Sequence, residues 1–361
     1  MSYRPGTPTR VGGGFTRRLF AGGILACSIA AGTAPAHAAD PIKVAVGYQS
    51  LWAGGGEVVE VLRHTNIFEL NGIEATFKTF TFGGPLAEAA VAGDIDNVFA
   101  ADAPVLRAMS RMPGSKILQR THDARFGILV QPGFQGGLAD LKGKKLSAPF
   151  ATTTFPRAMK ALVAAGIKDP FKEMTIVNQD IAEQTSAMQG GLVDAVTTWD
   201  PTMERMIETK TAKTLWVAPR GENIGLQGLS GKWIEKYGRE GEVRFLKAWI
   251  MATWWASNHM PQAHEWFAKT SRLAPNLLEI ATNFDRNLAA PIPDLAKVDL
   301  SVSQADITGA QGVMDFLYAN KLLNAQLDVK PFYDMGPLKQ AEEEIAAGKY
   351  PPLADIKVIT P

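Results

Sequence analysis

Four short stretches hold the residues best suited to chemistry. They are Tyr48-Gln49-Ser50-Leu51-Trp52 with Gly54, Gly55 and Gly56, then Thr81-Phe82-Gly83-Gly84-Pro85, then Thr152-Thr153-Thr154-Phe155-Pro156, and finally Thr198-Trp199-Asp200-Pro201. Each joins an apolar, strand-like run to the start of a helix. The chemistry they suit is non-covalent binding. Glycine lets a ligand approach the backbone, and free N–H groups and the dipole at a helix start attract anions. The same residues also have purely structural uses. Threonines cap helices, and paired glycines make turns. Trp199 is either core or an apolar wall. Asp200 either caps the helix begun at Pro201 or receives an ammonium or hydroxyl. Arg157, in the first turn of the third helix, opposes the helix dipole. It either faces solvent or pairs with an anion.

Signatures of catalysis and metal binding are missing. Gly228-Leu229-Ser230-Gly231 lacks the nucleophile-elbow spacing, and Gly54-Gly55-Gly56 is not a dinucleotide fingerprint. His259 and His264 are five apart, off a common helical face for chelation. His64 and His122 have no evident local partner and are expected at the surface. No catalytic residue, metal ligand or cofactor is assigned. The one cysteine, Cys27, lies in the N-terminal apolar run.

The elements that would position these stretches alternate. Ile42–Gly47 reads as a first strand, a helix passes through Val58, Val59, Val61 and Leu62, and Ala75–Phe80 is a second strand. A short helix 85–92, a strand 97–100 and a helix 103–109 follow. This βαβαβα order predicts a parallel sheet covered on both faces. A strand at 125–130 leads into a second such region, with strands at 146–150 and 174–177, and a strand at 214–218 carries the chain back. Beyond residue 230 the pattern is helical, with a helix over 241–258 whose tryptophans are expected in the core. Open α/β sheets bind ligands outside the carboxyl ends of strands, where the four stretches fall.

The N-terminus reads as an export leader over residues 1–38. Arg4, Arg10, Arg17 and Arg18 precede or flank an apolar run over 19–31, and Ala36 and Ala38 give a cleavage pattern. Thr16-Arg17-Arg18-Leu19-Phe20 is similar to a twin-arginine signal. Ile24-Leu25-Ala26-Cys27 has the outline of a lipoprotein box, with Leu25 a poor fit, so free export is favoured over anchoring. Removing four arginines from 37 basic side chains, against 36 acidic, leaves a slightly acidic mature chain without the footprint of a nucleic-acid or anionic-membrane binder. At about 320 residues it exceeds the size at which one core stops growing, so two lobes are expected.

In order along the chain, Trp52-Ala53-Gly54, Asn66–Glu74, Asp96–Pro104, Asp140-Leu141-Lys142-Gly143-Lys144-Lys145, Trp199-Asp200-Pro201, Phe316-Leu317-Tyr318 and Leu322-Leu323 resemble the periplasmic solute-binding proteins for taurine, alkanesulfonates and nitrate. The resemblance implies an α/β fold of two Rossmann-like lobes with mixed, mainly parallel sheets joined by a two-strand hinge, a type II periplasmic-binding fold. Lobe 1 would comprise 40–127 with 226–361, and lobe 2 would comprise 128–225. It also implies a periplasmic monomer that binds a small organic anion and delivers it to a membrane permease with its ATPase. Ser50, Trp52, Gly83, Gly84, Asp102, Thr152, Thr153, Trp199 and Asp200 would face the cleft, and Gln49 and Thr154 complete the candidate set. The chain departs from the family at Val98, at Ala101 and along Ala151–Arg157. With Trp52, Phe82, Phe155 and Trp199, this suggests room for an aromatic carboxylate or sulfonate besides taurine-like or alkanesulfonate ligands. Other readings are a binder of nitrate or of a pyrimidine or thiamine precursor, a ligand sensor, and a pyrimidine-synthase-like enzyme. That enzyme resemblance implies pyridoxal phosphate and a cysteine-rich motif, whereas the mature chain has no cysteine.

Overall fold

The computed structural model describes residues 41–359, together with glycines 6 and 12–14. The proposed leader, its twin-arginine motif and Cys27 lie outside the described residues. Strand β1 (Ile42–Gln49) pairs in parallel with β2 (Ile73–Phe80), and between them run α1 (Gly55–His64) and the short α2 (Ile67–Leu70). Helix α1 buries Val58, Val59, Val61 and Leu62, the face that its spacing predicts. Helix α3 (Gly83–Ala92), strand β3 (Asn97–Ala101), helix α4 (Asp102–Met109) and strand β4 (Lys116–Asp123) follow.

The expected parallel ladder stops at this point. Strand β3 pairs antiparallel with β10, and β10 pairs antiparallel with β4. Between β1 and β3, side chains replace a ladder. Asp96 and Asn97 accept from the Ala45 and Gly47 amides at 2.7 Å each, and Gln49 Nε2 donates to the Phe99 carbonyl at 3.2 Å. Sequence patterning missed β4 because its buried residues are polar. Gln119, Arg120, Thr121, His122 and Asp123 are all sequestered. A strand this polar survives burial only when its charges are paired. Arg120 pairs with Asp123 and Asp306, and the Asp285 carboxylate accepts from the Asp123 amide at 2.6 Å.

From β4 the chain crosses into a five-stranded sheet. Its elements in sequence are β5 (Phe126–Val130), β6 (Lys145–Ala148), α5 (Thr154–Ala164), α6 (Pro170–Glu173), β7 (Thr175–Asn178), α7 (Ile181–Gln189), β8 (Ala195–Trp199), α8 (Thr202–Glu208) and β9 (Lys213–Val217). The sheet order is β7-β6-β8-β5-β9, and only β5 runs against its neighbours. Strands β5 and β8 are buried along their whole length and form the centre. Strand β10 (Ile224–Leu229), which the sequence reading also missed, brings the chain back. The two crossings lie side by side. The Ala124 amide donates to the Asn223 carbonyl at 2.8 Å, and the Ala218 amide donates to the Phe126 carbonyl at 3.0 Å. These paired crossings are the hinge of an open, mixed α/β fold with two lobes.

Helices α9 (Gly231–Asn258), α10 (Met260–Ser271), α11 (Pro275–Thr282), α12 (Gln304–Ala319) and α13 (Gly336–Ala346) complete the chain. Helix α9 is longer than the predicted 241–258 element and breaks at Gly238 (φ 58°, ψ −163°), a conformation suited to glycine. Trp249 and Trp255 are core, as the stripe suggested.

Candidate ligand-binding cleft

The starts of α3 and α5, the ends of β1 and β8 and the return crossing surround a small cavity of about 20 Å³. Gln49 and Trp52 line it from the β1 end, Gly83 from α3, Ala101 and Pro104 from the β3–α4 junction, Thr152, Thr153 and Thr154 from α5, Trp199 from β8, and Asn223 from the hinge. Seven of the eleven candidate residues therefore converge on one space. Asn223 was missed because it sits one residue before the unrecognised β10. Ser50 instead donates to the Phe80 carbonyl at 3.3 Å. Gly84 lines the adjoining groove. Asp102 and Asp200 are held in ion pairs.

Thr153 does not cap its own helix. Its hydroxyl donates to Asp102 and accepts from the Ala103 amide at 3.0 Å, so it reaches from one lobe to the other. Arg157 adds a second link, donating to Asp102 at 2.8 Å and pairing with Glu222. Burial opposes the charge on Arg157, but the Asp102 and Glu222 carboxylates outweigh it and raise its pKa. Arg157 thus meets neither of its sequence-level expectations. Its side chain is 10% exposed and its two terminal nitrogens are held by protein carboxylates, while Nε is buried without a partner among the described residues. Trp199 forms a third link, donating from Nε1 to the Leu51 carbonyl at 2.9 Å.

Asp200 accepts from Arg125 at 2.6 and 3.0 Å, and Arg125 also reaches Glu204 at 2.6 Å. Burial works against the charge on Arg125, but Asp200 and Glu204 hold it firmly protonated.

Phe155, expected in the cleft wall, is fully buried and stacks on Phe150 at 4.4 Å within the core beneath α5. Phe82 lines the neighbouring groove. The aromatic walls of the cavity are therefore Trp52 and Trp199. His122, expected at the surface, is 1% exposed and packs edge-on against Trp52 at 4.3 Å. Burial, helped by the Arg120 charge, pushes its pKa down to about 3, so it is neutral. His64 does have a local partner, Glu60, at 3.4 Å, and it stacks on Trp266.

The cavity offers mostly neutral hydrogen-bonding groups. Trp52 Nε1 and Asn223 Oδ1 are buried without a partner among the described residues. Such groups normally find a ligand, water or protein partner. Helix α3 starts without a side-chain cap, so its first N–H groups are donors near Gly83. Among the described residues there is no cluster of His, Cys, Asp and Glu that suits a metal ion.

Two lobes of mixed sheet, a two-strand hinge and a cleft at the strand ends define the fold of the periplasmic solute-binding proteins. This chain has that fold. No family model matches it. It is 27% identical over 291 residues to a Bacillus subtilis protein named for aliphatic sulfonate binding, covering 78% of this chain and 82% of that protein. Its fold matches the alkanesulfonate-binding protein of Xanthomonas axonopodis pv. citri bound to MOPS, with TM-score 0.64, 21% identity, and 82% of this chain and 99% of that one covered. It also matches a desulfurization enzyme in complex with biphenyl-2-sulfinic acid, with TM-score 0.59, 13% identity, and 84% and 99% covered. No helix among the described residues is long and apolar enough to cross a membrane.

Proposed function

We propose that this chain is the exported, non-catalytic solute-binding component of an ABC-type importer and takes a small organic anion between two closing lobes. The observation that carries this reading is the convergence of Trp52, Gly83, the threonines, Trp199 and Asn223 on one cavity bridged from both sides. Lobe 1 comprises 40–127 with 226–361, and lobe 2 comprises 128–225. The ligand's negative end meets the uncapped start of α3 and the neutral donors around it. Its flat or apolar part lies between Trp52 and Trp199. Ligand binding stabilises the closed form by its differential affinity. A permease with its ATPase then receives the ligand from the periplasmic protein.

The test is calorimetric titration of the purified mature protein with taurine, alkanesulfonates, MOPS, arenesulfonates, aromatic carboxylates and nitrate. Saturable binding of at least one organic anion, with contraction in small-angle scattering, is expected. If no organic anion binds and a neutral pyrimidine does, the assignment fails. The fold shared with a desulfurization enzyme raises a second reading, catalysis on a sulfinate. The cleft side chains argue against it. His122 is neutral and enclosed by Trp52 and Phe99, and none of the cavity-lining side chains is a cysteine.

A further inference from the structure

The inner cavity opens beside a second, larger space. A groove of about 290 Å³ is lined by Phe82, Gly84, Pro85, Pro104, Arg107 and Ala151, among others. Pro104 belongs to both spaces. On each side of the cleft, neighbouring residues face the two chambers: Gly83 and Gly84 on one lobe, Thr152 and Ala151 on the other. These residues form a waist. A Cβ at Gly84 would lie 2.7 Å from the Phe82 ring and 3.2 Å from the Ala151 methyl. A side chain at position 84 would fill the gap between Phe82 and Ala151.

The inner chamber alone, at about 20 Å³, is far smaller than the roughly 300–1,000 Å³ that ligand pockets normally occupy. The outer groove brings the site into that range. Its walls are mainly apolar, and its charges are unequal. Glu88 is engaged by Arg111 at 2.6 Å. Arg107, half-buried in the last turn of α4, has no ion-pair or hydrogen-bond partner for its side chain among the described residues. Arg157, the cation nearest the inner chamber, is already held by two carboxylates. Arg107 is thus the cation on this path that remains available to a ligand.

We propose that the outer groove is a second anion subsite and that the transported ligand carries two anionic groups, one in the neutral donor seat of the inner chamber and one on Arg107, joined by an apolar spacer through the Gly84–Ala151 waist. This rests on the organic-anion reading above and narrows it to dianionic organic acids such as sulfocarboxylates. A guanidinium favours a planar carboxylate or a sulfonate through paired N–H donors.

The experiment is calorimetry of the mature protein with two matched pairs: propane-1-sulfonate against 3-sulfopropanoate, and benzenesulfonate against 4-sulfobenzoate. The wild type is expected to bind the dianion of at least one pair tenfold or more tightly than its partner. In Arg107→Gln that ratio falls to about one, and Arg107→Lys restores part of it. Gly84→Val, which closes the waist, weakens the preferred dianion more than methanesulfonate. An unchanged thermal melt for each variant establishes folding. Monoanion binding without dianion preference in either pair overturns the subsite and leaves the anion reading intact. A preference that survives Arg107→Gln overturns the role of Arg107. Absence of binding by every sulfonate and carboxylate overturns both the subsite and the anion reading.

Discussion

Asp102 and Asp200 occupy comparable places, each where a strand ends and a helix begins, yet they do different work. Asp102 follows β3 and is engaged from the other lobe by Thr153 and Arg157. Asp200 follows β8 and is engaged by Arg125, beside the outgoing crossing. The first pair joins the two lobes. The second braces the outgoing crossing of the hinge. A carboxylate at a strand end is therefore not by itself a ligand contact. Its role is set by where the opposing cation sits, across the cleft for Asp102 and on the hinge crossing for Asp200.

The strongest way to break this comparison is Asp200→Ala. It leaves Arg125 largely buried with Glu204 alone. Breaking a buried pair costs about 3–5 kcal/mol, so a large loss in denaturant stability is expected. Small-angle scattering of the remaining folded protein should be unchanged. If stability holds and only ligand affinity falls, Asp200 belongs to the site after all.

Asp102→Asn has the opposite profile. Losing a charge-assisted bond between lobes costs about 1.5–3 kcal/mol, drawn from the closed form. Affinity should fall roughly ten- to a hundredfold, and scattering should show a more open ensemble. An unchanged open–closed balance would remove Asp102 from the closing interface.

A third acid near a helix start sharpens the contrast. Glu57 in α1 is fully buried, and its carboxyl group accepts from the Gly54 amide at 2.6 Å with no ion-pair partner among the described residues. Burial pushes its pKa up to about 8 from the usual 4.5. The folded chain therefore holds a proton that the unfolded chain has released. This contribution is full below about pH 4.5 and is lost as pH rises through about 8. Its slope approaches about 1.4 kcal/mol per pH unit within that window. Glu57→Gln should flatten the wild-type decline in stability between pH 5 and 8, measured by urea unfolding. An identical slope in the variant would show that Glu57 is already ionised.

The smallest effect is expected from Trp199→Phe. It removes one hydrogen bond to Leu51 at a net cost of about 1 kcal/mol, so a several-fold loss of affinity should appear with little change in unfolding. A loss as large as that of Asp102→Asn would show that the ligand needs the full indole and not only the bond to Leu51.

Much of this was legible in the sequence. The first strand, the apolar face of α1 and the tryptophan-bearing helix follow directly from residue spacing. The four polar stretches fall at strand ends, and all four contribute threonine, glycine or tryptophan to the cavity. The first contributes Gln49 as well as Trp52. Strands β4 and β10 were not legible. One buries Arg120 and Asp123, which pair with each other and with distant Asp306 and Arg286, and the other carries glycines at Gly225 and Gly228 where neighbouring side chains and backbone press close.

The sequence alone determined the alternating α/β order, the strand-end location of the polar groups and the scarcity of reactive side chains, because local periodicity and composition need no partner to be read. Only the tertiary structure decided which groups remain for a ligand. It spends Thr153, Arg157, Asp102 and Asp200 on protein contacts, sinks Phe155 into the core, and brings Asn223 and Arg107 to the cleft and its outer groove. The physical reason is that a charge's availability depends on the counter-charge that folding places beside it, and here those partners lie 55 to 75 residues away in the chain.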